Sequence, residues 1–117
     1  MRGAMVMPTH TQPPIPIVCN LDALTADEQK HRQALATWLQ NHTEDVQEDA
    51  AGYALRLAAD ESTCQEVMAF ALLERQCCPF LRFTIALEPG QSALWLHLGG
   101  GEGVKAFLAQ AGLCGCA

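Results

Sequence analysis

Glu74-Arg75-Gln76-Cys77-Cys78-Pro79-Phe80-Leu81-Arg82-Phe83-Thr84-Ile85-Ala86-Leu87 changes its hydrophobic period partway through. Up to Cys78 it closes an amphipathic segment that begins near Glu61. At about 100° per residue, Val67, Phe70, Ala71, Cys77 and Cys78 share one helix face, with Leu73 at its edge. Pro79 ends the helix, because it has no amide proton and it restricts the residue before it. From Leu81 to Leu87 apolar and polar residues alternate, which is the period of a half-buried strand. A helix followed at once by such a strand indicates α+β packing of helices against a sheet.

Downstream, Leu94-Trp95-Leu96-His97-Leu98 alternates in the same way, and Pro89-Gly90 suits a tight turn, so the two strands form a hairpin. Gly99-Gly100-Gly101 breaks the sheet, and a last helix from about Glu102 to Gln110 packs Val104, Phe107 and Leu108. Upstream, Gly52 to Ala58 alternates with Tyr53, Leu55 and Leu57 on one face. Asp60 or Ser62 caps the helix that follows. Val46 to Ala51 is acidic and turn-like. Thr25-Ala26-Asp27-Glu28 is a capping box that opens a helix running to about Asn41, with Leu35, Trp38 and Leu39 as its stripe. Ile15-Pro16-Ile17-Val18-Cys19 is expected as a short edge strand, where proline is tolerated.

The expected order is therefore β-α-β-α-β-β-α: a two-layer α+β domain over residues 15–111, its short mixed or antiparallel sheet covered by helices on one face. A mobile arm, 1–14, precedes it and a Cys-x-Cys tail, 112–117, follows. A thioredoxin-like arrangement is the alternative, since a proline precedes the third strand there too; against it, Cys19 is not part of a Cys-x-x-Cys. Arg82, Thr84, Ala86, Trp95 and His97 are left on the second sheet face. An outward tryptophan suits either a homodimer contact or a surface partly covered by the N-terminal arm.

The chain has 117 residues, half of them apolar, enough for one domain with its own core. Its net charge of −6, with seven Lys and Arg, argues against nucleic acid and anionic membranes as partners, because both need basic patches. No apolar run approaches the ~20 residues of a membrane span. The N-terminus lacks the charged-then-apolar layout of a signal peptide. A cytoplasmic protein with reduced thiols is the expectation. Its six cysteines then serve as metal ligands, redox groups or small buried residues rather than a disulfide framework.

Glu74 falls near the middle of the apolar face of its helix, between the directions of Cys77 and Cys78. A carboxylate there is costly unless something pairs with it or it lies near the surface. The adjacent cysteines admit three roles. They are small buried residues at a helix end; or a redox pair; or ligands for a soft cation. The redox role suffers because adjacent Cα atoms stand only about 3.8 Å apart, too close for an ordinary disulfide. A helix C-terminus and Glu74 also raise thiol pKa, whereas a reactive thiol needs it lowered, and only Arg75 and Arg82 are nearby offsets. A bound metal escapes that objection by displacing the protons itself.

Thiolates select mercury, copper(I), zinc or arsenite-like species over hard ions. Two adjacent thiols need a further ligand; Cys19 is the candidate, with Glu74 as ligand or as the base that holds one. Cys114 and Cys116 form a second possible site or a capture arm, and Cys64 belongs to the core. His31 and His42 lie near the apolar stripe of the first helix, as imidazole ligands or as rings at its rim. The glycine-rich turn before the last helix has free amides for an anion but no phosphate-loop pattern.

Three functions follow: a binder of thiophilic metal or metalloid acting as buffer, carrier or sensor accessory; a thiol-dependent enzyme or redox protein; or an interaction module with structural cysteines. The enzyme requires folding to bring His31, His42 or His97 near Cys77. Replacing Glu74 by Gln is expected to lower thiol pKa and to leave the protein at least as stable.

Glu74-Arg75-x-Cys77-Cys78-Pro79-Phe80-Leu81-x-Phe83, the hairpin, the Gly103-Val104-Lys105-x-Phe107-Leu108 helix and the start Ile17-Val18-Cys19-x-Leu21 together carry a resemblance. The chain resembles, over roughly residues 17–108, a family of small, largely uncharacterised bacterial proteins. These are often encoded beside heavy-metal resistance genes and metal-responsive regulators. The resemblance implies a bacterial source and a metal-related role, and names no activity.

Overall fold

The computed structural model describes residues 15–112. The arm 1–14 and most of the tail, with Cys114 and Cys116, lie outside the described residues. In chain order the elements are α1 (Ala26–His42), β1 (Asp45–Glu48), β2 (Gly52–Leu57), α2 (Glu61–Cys77), β3 (Arg82–Leu87), β4 (Leu94–Gly99) and α3 (Val104–Ala111). The four strands form one sheet in the order β1-β2-β4-β3, with every neighbouring pair antiparallel. β2 reaches β3 through α2, and β4 then returns between them.

The registers align Leu55 with Leu96 and Ile85, and Leu57 with Leu94 and Leu87. Because side chains alternate along a strand, this stacks the leucines of β2 and β4 on one face. There they share a core with Leu35 and Leu39 of α1, Val67, Phe70 and Leu73 of α2, and Val104 and Leu108 of α3. The α+β class and the helix-covered face are as the periodicity predicts. So is the second face, where Ala54, His97 and Thr84 stand in register beside Arg56, Trp95 and Ala86. No helix among the described residues is long and apolar enough to cross a membrane.

Local chemistry sets the boundaries. The Thr25 hydroxyl accepts from the Glu28 amide while the Glu28 carboxylate accepts from the Thr25 amide, closing the capping box of α1. Asp60, not Ser62, caps α2 by accepting from the Thr63 amide at 2.8 Å. Gly90 adopts φ +72° in the β3–β4 turn, a conformation that suits glycine.

Two elements differ from expectation. Ile15 to Cys19 is not a strand: Ile15, Ile17 and Val18 are exposed, and the chain continues into a single 3-10 turn at Leu21–Ala23. Pro16 lacks an amide for a ladder, and the segment is tied to the end of α2 instead, where the Asn20 amide donates to the Cys77 carbonyl at 2.8 Å. Without a strand among the described residues before α1, the thioredoxin-like alternative loses the first strand expected at Ile15 to Cys19. Conversely, the acidic stretch expected as turn contains β1. All four of its residues are exposed, so no alternation marks it; backbone pairing to β2 alone makes it a strand. Asp49 then closes the turn into β2, accepting from the Ala51 and Gly52 amides at 2.9 Å each.

Candidate metal centre

Helical spacing brings the site together. Glu74, Cys77 and Cys78 stand three and four residues apart at the end of α2, so their side chains emerge on one face. That face meets α1, and all three residues are fully buried. One ligand atom from each lies within 4.8 Å of the others, an arrangement able to hold a metal ion. The Cys77 and Cys78 sulfurs are 3.8 Å apart, and the Cys77 thiol donates to a Glu74 carboxylate oxygen at 3.4 Å.

The buried carboxylate has a partner that the sequence reading overlooked. Arg32 of α1, itself 2 % exposed, donates from Nε to Glu74 Oε1 at 2.7 Å and from an outer nitrogen to Oε2 at 3.4 Å. The two planar groups thus meet fork to fork, the strong geometry for this pair. Arg75 and Arg82, the offsets suggested by proximity in sequence, are both exposed. A signal for Arg32 did exist: it stands three residues before Leu35 and seven before Leu39, squarely on the apolar stripe of α1.

Cys19 does arrive at the site. It forms a disulfide with Cys78, their Cα atoms 4.7 Å apart, while Cys77 stays outside that bond. The pairing differs from the expectation of uniformly reduced thiols. It also avoids the cramped bond between adjacent residues. Cys78 therefore has no thiolate to offer until the bond to Cys19 is reduced. Cys19 is half-buried, so it is the edge of the cluster that reaches solvent.

The remaining candidates lie elsewhere. Cys64 is half-buried and packs against the core, as expected. His31 and His42 are exposed on α1; His42 stacks on Trp38 with ring centroids 4.6 Å apart. His97, on the opposite sheet face, contacts Asp49 at 2.8 Å. No histidine of the described residues stands beside Cys77 as a base. The glycine turn before α3 is closed by its own backbone, with the Val104 amide donating to Gly101 and the Phe107 amide to Gly103.

Burial pushes the Cys77 thiol up to about 11, the Glu74 charge and its hydrogen bond add to the rise, and Arg32 opposes it. Folding therefore holds the Cys77 proton more tightly than the unfolded chain does. The resulting stability is fully present below the ordinary thiol value of 9.0 and is lost as pH rises toward about 11. Denaturant unfolding across that window should show stability falling with pH, and Cys77→Ser should flatten the fall. An equal slope in both proteins would place the titrating group elsewhere.

Glu74→Gln should bring the Cys77 value down without restoring it to normal, because burial, the larger cause, persists. In place of a protein at least as stable, the Arg32–Glu74 pair predicts a less stable one, since the substitution takes the carboxylate charge from a buried Arg32. Thiol titration and thermal melting of the same variant separate the two effects.

Comparison of the chain with protein-family models, curated proteins and solved structures finds no match.

Proposed function

We propose that this protein binds a thiophilic metal or metalloid ion through cysteine thiolates at the end of α2, as a buffer, a carrier or an accessory to a sensor. The observation that supports it is the convergence of Glu74, Cys77 and Cys78 in the interior, with ligand atoms within 4.8 Å of one another and Cys19 bonded to the same cluster. Soft sulfur ligands favour soft ions, and a buried cluster with a paired carboxylate offers them a shielded, pre-assembled site. Loading requires reduced thiols, which fits a cytoplasmic protein. Membership of the metal-resistance-associated family is part of the same proposal.

The Cys19–Cys78 disulfide, with the Cys77 sulfur 3.8 Å from Cys78, also suggests thiol–disulfide exchange. A thiol with a pKa of about 11 is ionised at neutral pH in only roughly one molecule in ten thousand. Such a thiol is a poor nucleophile for turnover, and no histidine of the described residues stands by to activate it. Binding is therefore the better reading.

Anaerobic titration of the reduced protein should produce thiolate-to-metal charge-transfer absorption that saturates at one ion per chain. Cys77→Ser/Cys78→Ser should abolish it while circular dichroism stays unchanged. A doubly substituted protein that still takes up one tight equivalent would remove this site.

A further inference from the structure

We propose that the ion this site is built for is a trivalent metalloid of the arsenite class, held by the sulfurs of Cys19, Cys77 and Cys78 while Glu74 stays with Arg32; this rests on the soft-ion reading above. Three observations converge on it: the angle the sulfurs set, the charge the pocket tolerates, and the placement of the third sulfur.

Sulfurs 3.8 Å apart, each about 2.3 Å from a central atom, subtend roughly 110° there. That angle suits a pyramidal or tetrahedral centre. A linear two-sulfur complex, the habit of mercury(II) and copper(I), needs the sulfurs on opposite sides of the ion. Re-aiming one of two fully buried side chains would be required to reach it.

Charge selects next. The pocket already holds one positive and one negative group, Arg32 and Glu74, bonded to each other and nearly inaccessible to water. A complex with net charge would add an unmatched charge to that interior, which is costly. Three thiolates around a trivalent centre sum to zero. Three around zinc leave −1, and three around copper(I) leave −2. Zinc with two thiolates and the Glu74 carboxylate would keep the pocket neutral only by taking that carboxylate from Arg32, which breaks the buried ion pair.

The third sulfur is held near independently of any sulfur–sulfur bond. The Asn20 amide donates to the Cys77 carbonyl at 2.8 Å, which anchors the residue after Cys19 to the residue that carries the second sulfur. Reduction of the Cys19–Cys78 bond therefore leaves a Cys78 thiol beside Cys77 and a Cys19 thiol on a segment still tied by its backbone to the end of α2. Cys19, the half-buried member, is the point of first capture.

The chemistry balances without a redox change at the metalloid. Two equivalents of a small-molecule thiol first reduce the disulfide, becoming a disulfide themselves and leaving hydrogen on Cys19 and Cys78. Arsenous acid then exchanges its three hydroxyl groups for three sulfurs. Each thiol proton leaves with one hydroxyl as water, so three As–O and three S–H bonds become three As–S bonds and three waters.

The test uses the full chain, reduced and held anaerobically, titrated with arsenite, zinc and copper(I) and read by intact-mass spectrometry and ultraviolet absorption. Expected is a single adduct whose mass equals one arsenic less three hydrogens, formed in preference to the zinc and copper(I) complexes. Oxidised protein should form none. Losing one of three tethered ligands should cost Cys19→Ser about a hundredfold or more in arsenite affinity. The same variant should keep phenylarsine oxide, which bridges two thiols. X-ray absorption of the parent adduct guards against a misfolded variant, and should show three sulfur neighbours.

Zinc or copper(I) outcompeting arsenite, fewer than three sulfur neighbours, or undiminished arsenite affinity in Cys19→Ser would overturn the metalloid assignment and leave the soft-ion reading standing. Failure of every soft ion to bind the reduced parent would overturn both.

Discussion

Arg32→Met should lower the stability of this protein by about 3–5 kcal/mol, because it strands the Glu74 carboxylate in an interior where neither group touches appreciable water. For a domain of this size, that loss corresponds to a melting temperature lower by on the order of 15 °C. The cause is the orphaned charge more than the lost attraction. Arg32→Met/Glu74→Leu should therefore recover most of the stability, since replacing both ends of a buried pair by apolar groups of similar size is often neutral or better. The penalty of the single variant should also shrink as acid neutralises the stranded carboxylate. Thermal melts of the four proteins in the cycle decide the matter. A single variant within about 1 kcal/mol of the parent would mean that water or a second cation reaches Glu74.

The second large effect is redox-dependent. The Cys19–Cys78 bond links residues 59 apart, so in the unfolded chain it closes a loop that includes α1, both strands of the first hairpin and all of α2. Loop-closure entropy for that length gives about 4 kcal/mol of stabilisation in favour of the oxidised protein, before any native-state cost. Oxidised parent should therefore melt well above reduced parent. Cys19→Ser should melt like the reduced parent whether or not reductant is present. Equal melting of oxidised and reduced parent would show that the pairing does not constrain the unfolded chain. An ion bound by the reduced form contributes in the opposite sense. By mass action it raises the melting temperature of the reduced protein with its free concentration and draws the equilibrium away from the disulfide.

The two effects share a structural origin. Glu74, Cys77 and Cys78 come from one helix end, but the groups that complete them, Arg32 and Cys19, come from α1 and from the segment before it. The cluster therefore joins the N-terminal part of the described chain to the centre of the core. Substitutions there should be felt in stability and in ion binding together.

Much of this was determined by the sequence alone. The period-3.6 stripe of Val67, Phe70 and Ala71 and its stop at Pro79 located α2 to within a residue, and unbroken alternation located β3 and β4. Binary patterning records which face of an element is buried, and that is enough to orient helices toward one face of a sheet. It was also enough to single out Glu74 as a carboxylate on the wrong face and to put the two thiols beside it. β1 escaped because a strand exposed on both faces has no pattern to record. Its identity lies in the backbone hydrogen bonds to β2, and those depend on where β2 already is.

Only the tertiary structure decided the partners. Arg32 lies 42 residues from Glu74, and which residue of α1 faces that carboxylate depends on how the two helices are rotated and shifted against each other. Likewise Cys19 could be nominated as a third sulfur from its type, but its route was misjudged. A strand was expected, whereas Pro16 and the Asn20–Cys77 backbone bond carry the segment to the end of α2. The thiol's high pKa follows from the same assembly, since burial, its main cause, exists only after α1 and the N-terminal segment have closed over the helix end. Periodicity reports each element's relation to an averaged interior. The identity of the group across the gap is set by packing between elements, where a shift of one helical turn replaces Arg32 with Ala36.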